Sequence, residues 1–430
     1  MKKVKIIGAG LAGCEAALQL TKAGFRVNLY EMRSFTQTPA HETGLFAEMV
    51  CSNSLKSNLL TTSSGLLKAE LELLDCELLK IARECAVPAG NALAVDRNLF
   101  ANRVTDIIRN NRMIEIFNVE YTKFDDEETI LACGPLVSEK LTRSLIELIG
   151  DEHLYFFDAI APVVTADSID FDKVYAKTRY DKGEADYVNC PFDKEEYRRF
   201  VEALNNGEKH VAKEFENEFF QNVDYRFYEN CAPIEELAKR GVDTLRYGVM
   251  KPVGLDNPHT NKRPYAVIQL RAENKEKTAY NLVGCQTMLK YSEQKKIFSL
   301  IPGLENAEFM RYGSIHRNTY LNTPEICNND FTLKKAPNIR LAGQIAGVEG
   351  YVESIYSGLL TARILTGDIV ALPEESIVGQ LWKYLTKPNA DFKPMNANFG
   401  LLPEILMERK NKSLKKELLC RRSLEAMVQK

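Results

Sequence analysis

The 430-residue chain lacks several features that would each indicate a particular class of protein. Its ten cysteines include no C-x-x-C pair, which argues against a zinc half-site and a thioredoxin-like redox pair. No stretch approaches the roughly 18 uninterrupted apolar residues expected of a membrane-spanning helix. The 56 lysines and arginines are balanced by 59 aspartates and glutamates, so the whole surface is not a polycation for nucleic acid. We therefore predict neither a metal site nor a membrane partner.

What the sequence does contain is typical of a globular protein with reduced thiols. Hydrophobic residues make up 45% and charged residues 27%. The length allows two to three domains of about 150 residues. The amino-terminal apolar run has no signal-cleavage pattern. Together with the scattered cysteines, this predicts a cytoplasmic protein in which most cysteines pack as small hydrophobic residues.

The first 31 residues follow the pattern of a dinucleotide-binding unit. A strand at 4–7 leads into G-x-G-x-x-G at 8–13, a helix follows at 14–23, and a strand at 25–30 ends at an acid. The glycines allow a tight turn and close approach to a pyrophosphate, which the unpaired N–H groups of the helix attract. The acid is placed to accept hydrogen bonds from ribose hydroxyls. The predicted cofactor contacts are Gly8, Ala9, Gly10, Leu11, Ala12, Gly13 and Glu31.

A late strand and helix favour FAD over NAD as the resident cofactor. Residues 338–344 have the pattern of a strand that ends in Gly343 and Gln344, and a helical pattern follows at 352–364. Flavoproteins of the two-dinucleotide-binding type use such a strand and helix to hold the ribityl chain and pyrophosphate. A second glycine-rich motif for NAD(P)H is not evident in the sequence.

Two cysteines lie in segments without helical or strand periodicity. Cys51 is followed by Ser52, Asn53 and Ser54, a polar run after the cofactor loop that is typical of a site loop. The alternative is a capped turn in which Cys51 only packs. Cys231 lies in the run 228–235, and segments rich in arginine, tyrosine, glycine and proline follow it. Such segments suit recognition better than a core.

These segments resemble the folate- and FAD-dependent RNA uridine C5-methyltransferases of the TrmFO family. The resemblance is nearly full-length, and its long motifs follow one another in order, which makes it highly specific. The motifs include GAGLAGCEAA at 8–17, VCSNSLKS at 50–57, GNALAVDR at 90–97, NCAPIEELAKRG at 230–241, RYGVMKPVGL at 246–255, HRNTY at 316–320 and AGQIAGVEGYVES at 342–354.

The resemblance implies a reaction that thiols explain. A thiolate adds to C6 of uracil, and the resulting enolate attacks a one-carbon electrophile through C5. In this family methylenetetrahydrofolate supplies the carbon, reduced FAD supplies the electrons, and NAD(P)H re-reduces the flavin. The two functional cysteines match Cys51, the expected nucleophile, and Cys231, expected near the flavin as the base for the C5 proton or as a shield. The two roles could also be exchanged.

Three more cofactor residues follow from the resemblance. Glu349, Gly350 and Tyr351 fall where family members wrap the flavin. For Glu349 and Tyr351 the alternative is that they only cap and staple the following helix. No residue is predicted to ligate a metal ion.

The resemblance implies RNA as the macromolecular partner, and the T-loop uridine of tRNA as the expected target. The first alternative is the same chemistry on 23S ribosomal RNA, because Cys285, Met288 and Tyr291 differ from the usual family residues. A relative acting on the wobble uridine is disfavoured, since that family's length and helical carboxyl-terminal domain are missing. An inactive flavin-containing RNA-binding protein would be indicated by loss of Cys51 or Cys231, and both are present.

Local charge suggests where RNA would bind. Residues 239–271 contain seven lysines and arginines against two aspartates, and the interleaved tyrosines could stack an extruded base. Residues 406–430 have the same net charge of +5, and the alternative there is a solvated helix. The candidate RNA or folate contacts are Arg246, Tyr247, Lys251, Arg263, Arg271 and His316.

The predicted fold is α/β. A discontinuous FAD-binding, Rossmann-like domain of the GidA/TrmFO type takes residues 1–164 and 331–430. An inserted α/β domain takes residues 165–330 and supplies Cys231 with the basic surface.

Overall fold

The computed structural model describes residues 2–38, 40–150, 153–181, 185–209, 232–273, 277–389, 392–405 and 412–428. Its strands, in chain order, are β1 (Lys3–Ile7), β2 (Arg26–Tyr30), β3 (Ser54–Ser57), β4 (Ala86–Val87), β5 (Ala92–Val95), β6 (Ile114–Phe117), β7 (Thr129–Leu131), β8 (His153–Ile160), β9 (Val163–Thr165), β10 (Tyr175–Ala176), β11 (Tyr187–Phe192), β12 (Ala266–Ala272), β13 (Ala279–Leu282), β14 (Phe309–Arg311), β15 (Ser314–Leu321), β16 (Thr332–Leu333) and β17 (Ala336–Leu341).

The helices of the same ranges are α1 (Leu11–Lys22), α2 (Ser63–Leu73), α3 (Glu77–Glu84), α4 (Arg97–Asn110), α5 (Glu139–Ile149), α6 (Lys194–Asn206), α7 (Ile234–Lys239), α8 (Thr244–Tyr247), α9 (Tyr291–Phe298), α10 (Thr323–Ile326), α11 (Tyr351–Thr366), α12 (Ile377–Thr386) and α13 (Lys412–Val428). Short 3-10 turns lie at Ala166–Ser168, Arg179–Asp181, Gln344–Ala346 and Phe399–Leu401. None of the helices in the described ranges is long and apolar enough to cross a membrane.

The first layer is a six-stranded sheet in the order β16-β17-β7-β1-β2-β6. Strands β17 to β6 pair in parallel, and β16 adds antiparallel at one edge. Parallel strands need a crossover connection, and α1 supplies it between β1 and β2. The predicted α/β class, with a Rossmann-like sheet, is therefore confirmed.

Two glycines let the helix after the first strand pack closely. An added Cβ on Gly13 would overlap the carbonyl oxygen of Gly8, and one on Gly358 in α11 would overlap that of Ala12. Backbones can approach this closely only where no side chain intervenes. The packing of α1 against α11 also places Gly343, after β17, beside the first turn of α1.

The second layer is an antiparallel six-stranded sheet in the order β10-β11-β12-β13-β9-β14. It has its own core, in which buried aromatic rings of α6 and α9 pack on the strands. The antiparallel pair β8 and β15 lies between the two sheets in the chain. The strands of this sheet lie at 163–311, and β16 of the first sheet begins at 332. The domain limits at 164 and 331 stay predictions.

Candidate active site

A deep cleft opens at the carboxyl ends of the parallel strands, where ligands of such sheets bind. It encloses about 1040 Å³, including the part open to solvent. Its wall contains eight of the predicted cofactor residues: Gly8, Gly10, Leu11, Ala12, Glu31, Gly343, Gln344 and Tyr351. We call it the dinucleotide cleft.

The loop before α1 forms an open cradle in this cleft. Gly10 is the N-cap of α1, and no side chain caps the helix. The leading N–H groups therefore lack an intrahelical acceptor and favour an anion in front of them. A Cβ added to Gly10 would meet nothing within 4 Å, so the space before the loop is open for a pyrophosphate. This cradle fits the phosphates of FAD.

Glu31, at the end of β2, is buried and held in one orientation. Its Oε2 accepts hydrogen bonds from the Ala9 N–H at 2.9 Å and from Arg33 Nη2 at 3.0 Å. Burial would raise the pKa of the Glu31 carboxyl, but the Arg33 guanidinium and these hydrogen bonds lower it. The carboxylate is therefore ionised at neutral pH and suited to accept from ribose hydroxyls. Arg33 was not among the predicted residues, and no motif marks it.

The other predicted cofactor residues lie behind the cleft wall. Ala9 is buried and orients Glu31, and Gly13 packs against the Gly8 carbonyl. Gly350 has a φ of 116°, and its missing side chain leaves room for the Glu353 carboxylate. The Glu349 N–H donates to the Met395 carbonyl at 2.9 Å.

Cys51 lies against Tyr351, which begins α11. The Tyr351 hydroxyl oxygen is 2.9 Å from Cys51 Sγ, and it accepts N–H bonds from Cys51 at 2.8 Å and from Ser52 at 3.3 Å. A hydroxyl has one proton and two lone pairs. Because two N–H groups already donate to its oxygen, the Tyr351 hydroxyl can use its own proton as a donor to the sulfur.

Burial raises the pKa of the Tyr351 phenol well above its usual range, and the adjacent Cys51 raises it further. The phenol therefore stays protonated at neutral pH and remains a donor. A donor directed at sulfur stabilises a thiolate relative to a thiol. Tyr351 also lines the dinucleotide cleft, so the sulfur lies close to the site of the cofactor.

The cysteine loop is fastened to the antiparallel sheet by Arg271. This side chain donates from Nε to Asn53 Oδ1 and from Nη2 to Ser52 Oγ, both at 2.8 Å. Asn53 Nδ2 in turn donates to the Ala272 carbonyl at 2.9 Å. Arg271 is only 7% exposed, so it is not part of an open surface, and its assignment as an RNA or folate contact stays a prediction. Two of its five N–H donors hold this loop.

Two of the remaining candidate RNA or folate residues, Arg246 and Tyr247, lie in α8. Tyr247 is 72% exposed, and Arg246 lies over the rings of Tyr265 and Tyr247 at 4.2 and 5.3 Å from their centroids. Lys251 is exposed, and Arg263, also exposed, pairs with Asp256. His316 belongs to β15, and its side chain lies outside the described residues.

Cys231 lies outside the described residues, but the segment that follows it is well anchored. The Ile234 N–H donates to the Gln286 carbonyl at 2.7 Å. The buried Glu235 carboxylate accepts from Thr287 Oγ1 at 2.9 Å and from the Met288 N–H at 2.6 Å. Burial raises the pKa of Glu235. Two segments that the sequence singled out separately are thus joined in the structure.

The described cysteines other than Cys51 behave as packing residues. Cys14, Cys76, Cys85 and Cys420, which lie in helical sequence patterns, are buried. Cys133 lines the dinucleotide cleft, and burial raises its pKa to about 12, so it stays a thiol. Within the described ranges, no group of three or more metal-ligating side chains comes together.

Fold and site together define a class: an α/β protein with a dinucleotide cleft and a cysteine that contacts a tyrosine of its wall. A model of the family described as glucose inhibited division protein A matches residues 3–371. The solved structure of Aquifex aeolicus GidA in its form II crystal superposes with a TM-score of 0.68 at 16% identity, covering 99% of this chain and 75% of that one. This likeness supports the fold.

Curated relatives narrow the class. The methylenetetrahydrofolate--tRNA-(uracil-5-)-methyltransferase TrmFO of Bacillus subtilis strain 168 is 50% identical over 430 residues, covering 99% of this chain and 97% of that protein. The protein of the same name from Listeria innocua is 49% identical over 432 residues, covering 99% and 98%. The chain therefore belongs to the TrmFO family, and the resemblance noted in the sequence is confirmed.

Proposed function

We propose that the protein transfers a one-carbon unit from methylenetetrahydrofolate to C5 of the T-loop uridine of tRNA and reduces it to a methyl group. The observation that carries the proposal is the hydrogen bond between Cys51 Sγ and the hydroxyl of Tyr351, a residue that lines the dinucleotide cleft. The names of the two relatives give methylenetetrahydrofolate and tRNA uracil as the substrates of those proteins.

In the proposed mechanism Cys51 begins the reaction. Its thiolate forms a bond to C6 of uracil, and the electrons of the C5–C6 double bond move into an enolate. C5 then attacks the one-carbon electrophile, a base removes the C5 proton, and the bond between the transferred carbon and its carrier nitrogen breaks. A hydride, which reduced FAD would supply, adds to that carbon, and the carbon–sulfur bond breaks to restore the C5–C6 double bond. FAD, when bound in the cleft, supplies the reducing electrons.

The chain's own groups prepare the thiolate and the enolate. The Tyr351 phenol donates to sulfur and so favours the ionised nucleophile before attack. Ser52 and Asn53 flank Cys51, and Arg271 fixes both side chains. A fixed loop holds the sulfur in one position, which removes the entropic cost of orienting it during the reaction.

Cys231 is the proposed base for the C5 proton, with a shielding role near the flavin as the alternative. The anchored segment at 234–235 lies directly after it. NAD(P)H is the proposed source of electrons for the bound flavin. The proposed RNA contacts on the inserted unit of residues 165–330 are the exposed side chains of Tyr247, Lys251 and Arg263 and the half-buried Arg246. The cytoplasm, where these substrates meet, is the proposed location.

One experiment tests donor and target together. The FAD-loaded protein is incubated with NADPH or NADH and methylene-labelled methylenetetrahydrofolate, with either a tRNA transcript or a 23S ribosomal RNA fragment. We expect label at the T-loop uridine of tRNA and none from labelled S-adenosylmethionine. Label only in the ribosomal RNA would show that ribosomal RNA, and not tRNA, is the target. Label from S-adenosylmethionine would refute the folate mechanism.

A further inference from the structure

A second cavity lies on the other side of the loop that leads to Cys51. It encloses about 810 Å³, including the part open to solvent. One wall is the loop at 42–49 and the start of α4, and the opposite wall is the edge of the antiparallel sheet. Glu48 contributes to both this cavity and the dinucleotide cleft, so the loop separates the two.

Two arginines reach into this cavity from opposite walls. Arg97, the first residue of α4, forms an ion pair with the buried Glu273 and donates to the Met49 carbonyl at 3.2 Å. Arg311, the last residue of β14, donates from Nη1 to the Val50 carbonyl at 2.7 Å. Both arginines thus hold the backbone immediately before Cys51.

Two of the three guanidinium nitrogens of Arg311 lack a hydrogen-bond partner among the described residues. These are Nε and Nη2, and both are buried. Burial lowers the pKa of the Arg311 guanidinium, and the nearby charge of Arg97 lowers it further. Buried donors and charges left without a partner are costly, which makes them rare unless a ligand completes them.

None of the carboxylates that line the cavity accepts a hydrogen bond from Nε or Nη2 of Arg311. Glu273 forms an ion pair with Arg97, although its two buried carboxylate oxygens make no hydrogen bond within the described residues. Glu48 accepts from the Thr43 N–H and hydroxyl and pairs with Arg33. Asp96 caps α4 by accepting from the Leu99 N–H, and Glu42 is exposed. Glu42, Glu48, Asp96 and Glu273 line the cavity together with Arg97 and Arg311, so the observation that points to a ligand is the pair of Arg311 nitrogens without a partner among the described residues, and not a net positive charge.

We propose that this cavity binds an oxyanion, a carboxylate or phosphate group, through the free Nε and Nη2 of Arg311 with Arg97 beside it. A guanidinium edge carrying two parallel donors matches two oxygens of either group. The source of the anion rests on the proposed function, whose folate donor carries glutamate carboxylates and whose nicotinamide nucleotide carries phosphates. The site itself is defined by the arginines alone.

The test measures binding, because Arg311 also holds the backbone next to Cys51 and its loss would affect activity for that reason. Calorimetry on the full-length, FAD-loaded protein uses three probes: p-aminobenzoylglutamate, 2′,5′-ADP and inorganic phosphate. We expect at least one to bind, with an affinity that falls as salt rises. In R311M this affinity should fall about tenfold or more, and R311K should keep part of it.

The matched control is R179M. Arg179 is also half-buried, donates to the Lys251 and Val253 carbonyls at 3.0 and 2.6 Å, and lies away from the cavity. Its loss should leave probe affinity unchanged.

Preference for p-aminobenzoylglutamate would identify folate as the source, and preference for 2′,5′-ADP would identify a nucleotide. Equal affinity of R311M and wild type, or no binding of any probe, overturns the site. If R311M fails to fold, the affinity of R311K for the probes, compared with wild type, tests the proposed site. Because no step requires methyl transfer, this result is independent of the proposed reaction.

Discussion

The hydroxyl of Tyr351 lies 2.9 Å from the sulfur of Cys51, although 300 residues separate them in the chain. This relationship joins the first residue of α11 to the loop that carries the proposed nucleophile. One tyrosine thus lines the dinucleotide cleft and contacts the thiol at the same time.

Replacing Tyr351 with phenylalanine should lower the turnover number for methyl transfer by about 10² or more, because the thiolate loses its donor. The rate at which Cys51 reacts with iodoacetamide should fall at neutral pH. The control is Y356F on the same helix, whose hydroxyl donates to the Val378 carbonyl at 2.7 Å and has no contact with Cys51. Unchanged thiol reactivity in Y351F would show that the hydrogen bond does not activate the sulfur.

The two cysteine variants C51A and C231A should each abolish methyl transfer, because one removes the nucleophile and the other the proposed base. Both should keep FAD absorbance and the circular dichroism of the wild type. C420A is the comparison, since Cys420 is a buried thiol that donates to the Leu60 carbonyl outside the cleft. Full activity of C51A or C231A would remove that residue from the mechanism.

Substitutions of Arg271 and Arg263 should have different effects on turnover and on tRNA binding. R271M leaves Ser52 Oγ and Asn53 Oδ1 without their donor, so we expect about 1–3 kcal/mol of lost stability and a lower turnover number with similar tRNA affinity. R263A removes an exposed charge and should weaken tRNA binding with little change in turnover. Steady-state kinetics and a filter-binding assay separate the two. Weaker tRNA binding in R271M at unchanged turnover would support its predicted role as an RNA contact.

The glycine loop offers a paired test of the FAD site. G10A places a methyl group in open space, so the free protein should be as stable as wild type, while FAD affinity should fall about tenfold or more. G13A forces a methyl group into the Gly8 carbonyl and should destabilise the protein itself. Urea unfolding and flavin fluorescence titration measure both effects. Wild-type FAD affinity in G10A would place the cofactor elsewhere.

Glu70 should make stability depend on pH. Its carboxylate accepts from the Ile377 and Val378 N–H groups at 3.0 and 2.8 Å, yet burial raises its pKa to about 7. In the unfolded chain it titrates near 4.5. The folded state therefore binds the proton more tightly, and this contribution to stability is present below pH 4.5 and lost as pH rises to about 7.

The measurement is the free energy of unfolding in urea for wild type and E70Q at pH 5 and pH 8. The glutamine cannot ionise, so wild type should lose about 1–3 kcal/mol relative to E70Q between the two values. In the control variant E417Q, which changes an exposed glutamate, the free energy of unfolding should depend on pH as in wild type. A parallel decline in wild type and E70Q would assign the pH dependence to other groups.

Sequence patterns predicted those parts of the molecule that depend on neighbours along the chain. The strand, glycine turn, helix and acid within residues 3–31 appear as expected, because a turn followed by a crossover helix has a local signature. Arg271 shows the limit of such patterns. A basic residue among tyrosines and glycines has the composition of a surface, and only the pairing of β12 with the rest of its sheet buries it.

The sequence by itself therefore determined the family, the dinucleotide-binding unit and the candidate cysteines. Tertiary structure alone decided which groups act on Cys51. Tyr351, Arg271 and Arg311 reach its loop across separations of 300, 219 and 261 residues. A hydrogen bond needs atoms within about 3 Å. No local pattern of residues encodes that proximity, because it arises only when the two sheets and α11 have packed around the cysteine loop.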